Sequence, residues 1–284
     1  MHWYRIMTKM SQGIKKYLRQ YIQLITAVLY NCHLTGFASG RIYKGPLKGI
    51  CAPGLNCYSC PGAVVSCPLG SLQGELLKSA YRLPLYILGT LILLGIFLGR
   101  IICGFLCPFG FIQEIIDKIP LPKIGKSAVT GLLSYLKYVI LLVLVIIIPI
   151  KDNVPGFCKY ICPAGTSEAG IPLVMLDERL RTHIGWLFSW KVFILIICMV
   201  LCAICYRAFC RFFCPLGAIY SLFNPIVFFG IRADRSKCTG CNTCIRFCKM
   251  DVRAVGDHEC IQCGECRSVC PEDAIDYCCR AKIK

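Results

Sequence analysis

Four long apolar runs, at residues 18–38, 83–99, 132–150 and 184–206, organise the first three quarters of the chain. Each is close to the ~20 residues that an α-helix needs to cross a hydrocarbon core. The second and fourth are rich in leucine and isoleucine. The first is the most polar, interrupted by Gln23, Asn31 and His33; Lys137 and Lys191 fall near the ends of the third and fourth, where long basic side chains can snorkel. A further uncharged stretch follows, but Pro215, Gly217, Asn224 and Pro225 break it, so it reads as a turn followed by an interfacial helix. Beyond residue 231 the pattern becomes short, polar and rich in cysteine. The expected architecture is a mainly α membrane protein: a four-span helical domain at 1–231 with an internal two-span repeat, then a small α+β two-cluster ferredoxin domain at 232–284.

Composition supports this division. The 284 residues are 56% hydrophobic with a mean hydropathy of +0.62, too apolar for an ordinary soluble domain. Lysine and arginine favour the N-terminal segment (Arg5, Lys9, Lys15, Lys16, Arg19) and the tail, although Arg41, Lys44, Lys48, Lys78 and Arg82 fall between the first two runs. The expectation is a multi-pass protein of a prokaryotic cytoplasmic membrane with both termini cytoplasmic and no cleaved signal peptide. The formal charge of +17 comes without a nucleic-acid recognition motif and fits anionic lipid headgroups better.

The 24 cysteines carry the chemistry. Cys238, Cys241, Cys244 and Cys248 form one C-x2-C-x2-C-x3-C ladder, and Cys260, Cys263, Cys266 and Cys270 form a second that ends in Cys270-Pro271. This is the bacterial two-cluster pattern, in which the fourth cysteine of each ladder serves the other cluster. One 4Fe-4S cluster is therefore expected on Cys238, Cys241, Cys244 and Cys270, and another on Cys260, Cys263, Cys266 and Cys248. Zinc sites and disulfides rarely use such regular close steps twice over.

An internal repeat adds more. CGFLCPFG, from Cys103, and CRFFCPLG, from Cys210, both read C-x3-C-P-x-G just after an apolar run. Cysteines four apart share a helix face, so Cys103, Cys107, Cys210 and Cys214 could close around one 4Fe-4S cluster at the inner membrane face. On the outer side, CYSCPGA and CKYICPAG align so that Cys57, Cys60, Cys158 and Cys162 are the symmetric choice for a further cluster. Cys51 and Cys67 compete for that role, and disulfides are the alternative chemistry for outward loops. Cys198, Cys202 and Cys205 read as packing residues of the fourth run; Cys32, Cys278 and Cys279 have no matching partners. His33, Gln23 and Gln113 are thin candidates for a quinone site, and Glu114 reads as part of an interfacial helix face. No nucleophile and base pairing, phosphate loop or flavin signature accompanies them, so an electron-transfer subunit is expected rather than a self-contained catalyst.

The two C-x3-C-P motifs with tandem ferredoxin ladders resemble the NapH-type polytopic membrane 4Fe-4S ferredoxin family, which includes the membrane portions of NosR and CcoG. The resemblance implies a membrane-bound conduit passing electrons between cytoplasmic or quinol donors and a partner redox enzyme within a membrane complex. Its alternative is a maturation or redox-sensing factor for metalloenzyme assembly.

Overall fold

In a computed structural model, residues 17–78, 84–182 and 184–279 are described. The basic residues Arg5, Lys9, Lys15, Lys16 and Arg82 lie outside them, as do both chain ends. The molecule is mostly helical. Helix α1 covers residues 17–30, α2 Pro68–Lys78, α3 Leu85–Phe97, α4 Pro108–Ile116, α5 Val129–Asp152, α6 Trp186–Ile204 and α7 Pro215–Phe223.

Two described helices are long and apolar enough to cross a membrane: α5, with 24 residues and mean hydropathy 2.5, and α6, with 19 residues and 2.6. Helix α3 is apolar but shorter, at 13 residues. Helix α1 stops at Tyr30, and the remainder of its apolar run turns into a separate short helix, Leu34–Ser39. All four leave large apolar side chains exposed, among them Val28 on α1, Leu93 on α3, Leu142 and Ile146 on α5, and Phe193 and Ile196 on α6. Charge is directed the other way. Lys137, expected to snorkel from α5, is instead fully buried and bonds Glu259 of the C-terminal domain at 2.7 Å.

The core between these helices is unusually rich in cysteine, with Cys103, Cys107, Cys162, Cys202 and Cys214 packed beside Phe109, Phe157, Phe209 and Tyr220. Helix α7 belongs to this core. Six of its nine residues are buried, so it is an interior helix rather than the interfacial one its sequence suggests. The C-terminal domain is closed by strands β1, Phe229–Ala233, and β2, Ile275–Cys279, paired antiparallel with Phe229 opposite Cys279 and Ala233 opposite Ile275. The two ladders lie between these strands in sequence, so this one pairing ties the ends of the ferredoxin segment together.

Candidate functional site

Each of four C-P-x-G motifs makes the same local structure. At Cys107 and Cys214 the chain is extended (ψ 113° and 111°), and proline, with its preset φ, occupies the first turn of the next helix. The cysteine sulfur then accepts a hydrogen bond from the glycine amide three residues on: Gly110 to Cys107 at 3.4 Å, Gly165 to Cys162 at 3.3 Å and Gly217 to Cys214 at 3.3 Å. Cys67 opens the same turn, its carbonyl accepting from the Ser71 amide at 2.9 Å as those of Cys107 and Cys214 accept from Phe111 and Ala218. Glycine suits the position because the turn folds tightly over the cysteine: a methyl on Gly165 would stand 3.6 Å from the Cys162 sulfur and 3.8 Å from that of Cys57. The first cysteine of the C-x3-C pair lies in a single π-turn, Ile102–Leu106 or Phe209–Phe213, and not on a regular α-helical face. Such turns are frequent at functional sites.

The head-side site unites the two halves of the repeat. Burial first, and then Cys210 and Cys103, push the Cys107 thiol up; Cys214 is raised by burial and then by Cys210, Cys103 and Cys107. The four expected cysteines are thus within electrostatic reach of one another. Two arginines lock them in a crossed pair. Arg100, three residues before Cys103, donates to the Cys210 carbonyl at 3.2 Å, and Arg207, three residues before Cys210, donates to the Cys103 carbonyl. Both are fully buried. Gln113 donates to the Cys210 sulfur at 3.0 Å, which makes it a neighbour of the thiols rather than part of an open quinone pocket. Glu114 is buried and accepts from Arg19, from Tyr206 at 3.1 Å and from Arg207 Nε at 3.0 Å, which corrects the expectation of an interfacial helix face. Burial opposes its ionisation, but Arg207 and Arg19 outweigh burial and hold it below the usual carboxylate range.

In the ferredoxin head, Cys238, Cys241, Cys244 and Cys270 line one cavity of about 170 Å³. Cys248 leaves its own ladder: burial and then Cys248 are among the causes that raise Cys266 and Cys260, the latter to about 11. The fold thus sets Cys270 at the cavity of the first ladder and Cys248 near the thiols of the second. Cys266 also feels Cys244, so the two groups adjoin.

On the other side of the head-side site, a cavity of about 230 Å³ is lined by Cys57, Cys67, Cys158 and Cys162, with Ala164, Gly165 and Gly170 leaving space between them. Of the four outer cysteines expected from alignment, Cys57, Cys158 and Cys162 are brought together. Cys60 does not line the cavity, and Cys67 does. Cys60 faces its own turn, Glu168 and Lys48, while Cys51 is buried where its segment bridges Ser66. None of the cysteines forms a disulfide. His33 bonds the Pro61 carbonyl at 3.1 Å and Gln23 the Gly104 carbonyl at 2.8 Å, both structural roles. Among the residues expected to pack, Cys202 touches Gln113 at 3.5 Å and Cys205 accepts from Arg211 at 3.4 Å.

The arrangement fits iron-sulfur clusters. Among the described residues no three cysteine, histidine or carboxylate side chains converge closely enough to share a single ion. At the two cavities the thiols instead surround a space, as a four-iron cubane with one thiolate per iron requires and a tetrahedral zinc site does not.

Residues 83–127, 136–169 and 183–231 match the model of a 4Fe-4S binding domain, and residues 257–276 match a second model of that description. The three stretches of the first contain Cys103 and Cys107, Cys158 and Cys162, and Cys210 and Cys214. Fold and domains together define an iron-sulfur electron-transfer protein that binds 4Fe-4S clusters. Uncharacterized protein MJ0750 of Methanocaldococcus jannaschii is 31% identical over 222 residues, covering 74% of this chain and 85% of that protein. YccM of Escherichia coli, named for electron transport, is 26% identical over 71% of this chain and 57% of its own length. Regulatory protein NosR of Stutzerimonas stutzeri is 28% identical over 60% of this chain, a match that spans only 23% of NosR. The chain belongs to the NapH/NosR-like ferredoxin family. No solved structure matches it.

Several side chains around the sites escaped the sequence reading. Arg100 could have been found from the shared spacing R-x2-C-x3-C-P-x-G, which recurs at Arg207. Gln73, six residues after Cys67, matches Gln113, six after Cys107. Glu259 and Asn224 leave no such signal, because their roles arise only where the head meets the helices.

Proposed function

We propose that the chain is a membrane-bound conduit that passes single electrons between cytoplasmic or quinol donors and a partner redox enzyme, through 4Fe-4S clusters held in sequence by the head ladders and the C-x3-C-P pairs. In the head the ligands are Cys238, Cys241, Cys244 and Cys270 for one cluster, and Cys260, Cys263, Cys266 and Cys248 for the other. Cys103, Cys107, Cys210 and Cys214 hold the next. Each cluster, when bound, supplies a one-electron carrier; the residues supply position, insulation and electrostatics. The four apolar helix faces are read as lipid-facing, giving a four-span domain with both termini in the cytoplasm.

The observation that carries this reading is the rigid junction between head and helices. Arg100 touches both sides of it at once, bonding the Cys210 carbonyl at 3.2 Å, the His258 carbonyl at 3.0 Å and Glu259 at 3.0 Å. Gly104, between Cys103 and Cys107, lies so close to Ile261, between Cys260 and Cys263, that a methyl would come 2.5 Å from the Ile261 carbonyl oxygen. Asn224 completes the contact by accepting from the Arg100 amide at 3.1 Å and donating to the Cys260 carbonyl at 2.8 Å. A protein that merely tethered a mobile ferredoxin would have no need to fix these backbones against each other.

The test is electron transfer in sealed vesicles with a reductant on the head side and an impermeant acceptor opposite. A conduit reduces the acceptor, and Cys103→Ala abolishes this while the head remains reducible. Clusters that are reduced but never discharge across the vesicle support the sensing alternative and overturn the conduit.

A further inference from the structure

We propose that the cavity beyond the head-side site is a fourth 4Fe-4S site, with Cys57, Cys67, Cys158 and Cys162 as ligands and Cys60 outside the set. This extends the conduit reading and rests on it for its role, although its ligand set stands on geometry alone.

The distal site is built as a near copy of the head-side one. In each, a C-P-x-G-x2-Q segment supplies one thiol and a glutamine six residues later. Gln113 of the first copy donates to Cys210 at 3.0 Å; Gln73 of the second donates to Cys158 at 3.2 Å. The other end of each amide accepts a backbone N–H from the same neighbourhood, Cys210 for Gln113 at 3.4 Å and Phe157 for Gln73 at 3.1 Å. Both glutamines are fully buried. The correspondence is therefore Cys67 with Cys107, Cys158 with Cys210 and Cys162 with Cys214, which leaves Cys57 as the counterpart of Cys103. Cys60 cannot stand in for Cys67, because it is followed by Pro61-Gly62-Ala63 with no glutamine six residues on, and unlike Cys57 it does not line the cavity.

The sixth position after each cysteine repeats the theme in the other two motifs. Glu168, six after Cys162, accepts the Cys57 amide at 2.7 Å, and Tyr220, six after Cys214, donates to the Pro53 carbonyl at 2.9 Å. All four side chains cross between halves, and the last two fasten the segment that joins the sites. Within it Gly54 lies against the Cys107 backbone, where a methyl would come 2.8 Å from Cys107 Cα, and the next two residues, Leu55 and Asn56, line the distal cavity beside Cys67. A stretch of three residues thus runs from the backbone of one site to the wall of the other, a short route between them.

The test uses the full chain, purified anaerobically in detergent, with iron and acid-labile sulfide measured per chain and reduced clusters counted by electron paramagnetic resonance. The intact protein should hold about 16 irons, Cys67→Ala about 12 with one signal lost, and Cys60→Ala about 16. Where Cys67→Ala does not fold, Gln73→Leu serves in its place: it should keep all the iron and shift the midpoint potential of one cluster other than the one that responds to Gln113→Leu. About 12 irons in the intact protein, or loss of a cluster with Cys60→Ala but not Cys67→Ala, overturns the proposal. Failure of the conduit alone looks different: four clusters present, none discharging across a vesicle.

Discussion

At the scale of single residues, the sulfur environments decide what each cluster can do. Hydrogen bonds to cluster sulfurs stabilise the reduced, more negative state and raise its potential. Gln113→Leu removes the 3.0 Å bond to Cys210 at little change in volume. The expected result is unchanged iron and a midpoint potential lower by about 40 mV for one signal, which is about 1 kcal/mol for one electron; a redox titration followed by paramagnetic resonance reads it. Gly54 makes a second residue-scale prediction. A methyl there would come 2.8 Å from both the Cys107 Cα and the Leu106 carbonyl oxygen, backbone atoms that cannot swing aside. Gly54→Ala should move the 53–56 segment off Cys107 and slow electron exchange between the two helical sites, with the head potentials unaltered, as seen by freeze-quenched reoxidation. The head ladders were legible in the sequence because their spacing is short and local. The set we propose for the distal site was not, because Cys57 and Cys67 are separated by ten positions and a nearer cysteine, Cys60, offers a more symmetric alignment. Only the glutamine at the sixth position breaks the tie, and its meaning emerges once both amides are seen bonded to sulfur.

At the scale of elements, the head is held by buried ion pairs rather than by the linker alone. Glu259 receives Arg100 at 3.0 Å and Lys137 at 2.7 Å, and Arg211 reaches Asp251 through Nε at 2.6 Å. Removing one partner of such a group leaves an uncompensated buried charge, at a cost of about 3–5 kcal/mol. Glu259→Gln strands two cations at once, so it should loosen the head from the helices, read as faster amide exchange at Ile231 and Gly104. The pH dependence has a definite sign. Burial works against the Glu259 carboxylate, but Arg100 and Lys137 overcome it and hold its pKa below the ordinary value of 4.5. Its contribution is therefore complete above that value and is lost as pH falls through the depressed one. Head release should begin only below the ordinary carboxylate range and should shift to higher pH in Lys137→Met, followed by amide exchange as a function of pH. The apolar runs were legible as helices, and the inward turn of Lys137 was not. A lysine near the end of an apolar run is ordinarily drawn outward to water; here a carboxylate more than a hundred residues away captures it.

At the scale of the whole molecule, the four groups of cysteines neighbour one another in turn: the short helix of Cys244 packs on the turn of Cys266, Gly104 lies against Ile261, and residues 54–56 run from the Cys107 backbone to the cavity lined by Cys67. The duplication that was visible as two C-P motifs is really fourfold, with one pair of motifs per helical site. The basic composition also takes on a different meaning. Part of it is buried as Arg19, Arg100, Lys137, Arg207 and Arg211, where it offsets carboxylates and the negative charge that thiolate-bound clusters bring, and is not available to an acidic ligand. The most direct test is anomalous scattering at the iron edge from crystals of the anaerobically purified chain. The account predicts four iron peaks in one row, at the two head groups, at Cys103, Cys107, Cys210 and Cys214, and at Cys57, Cys67, Cys158 and Cys162. Iron confined to the two head positions would contradict it.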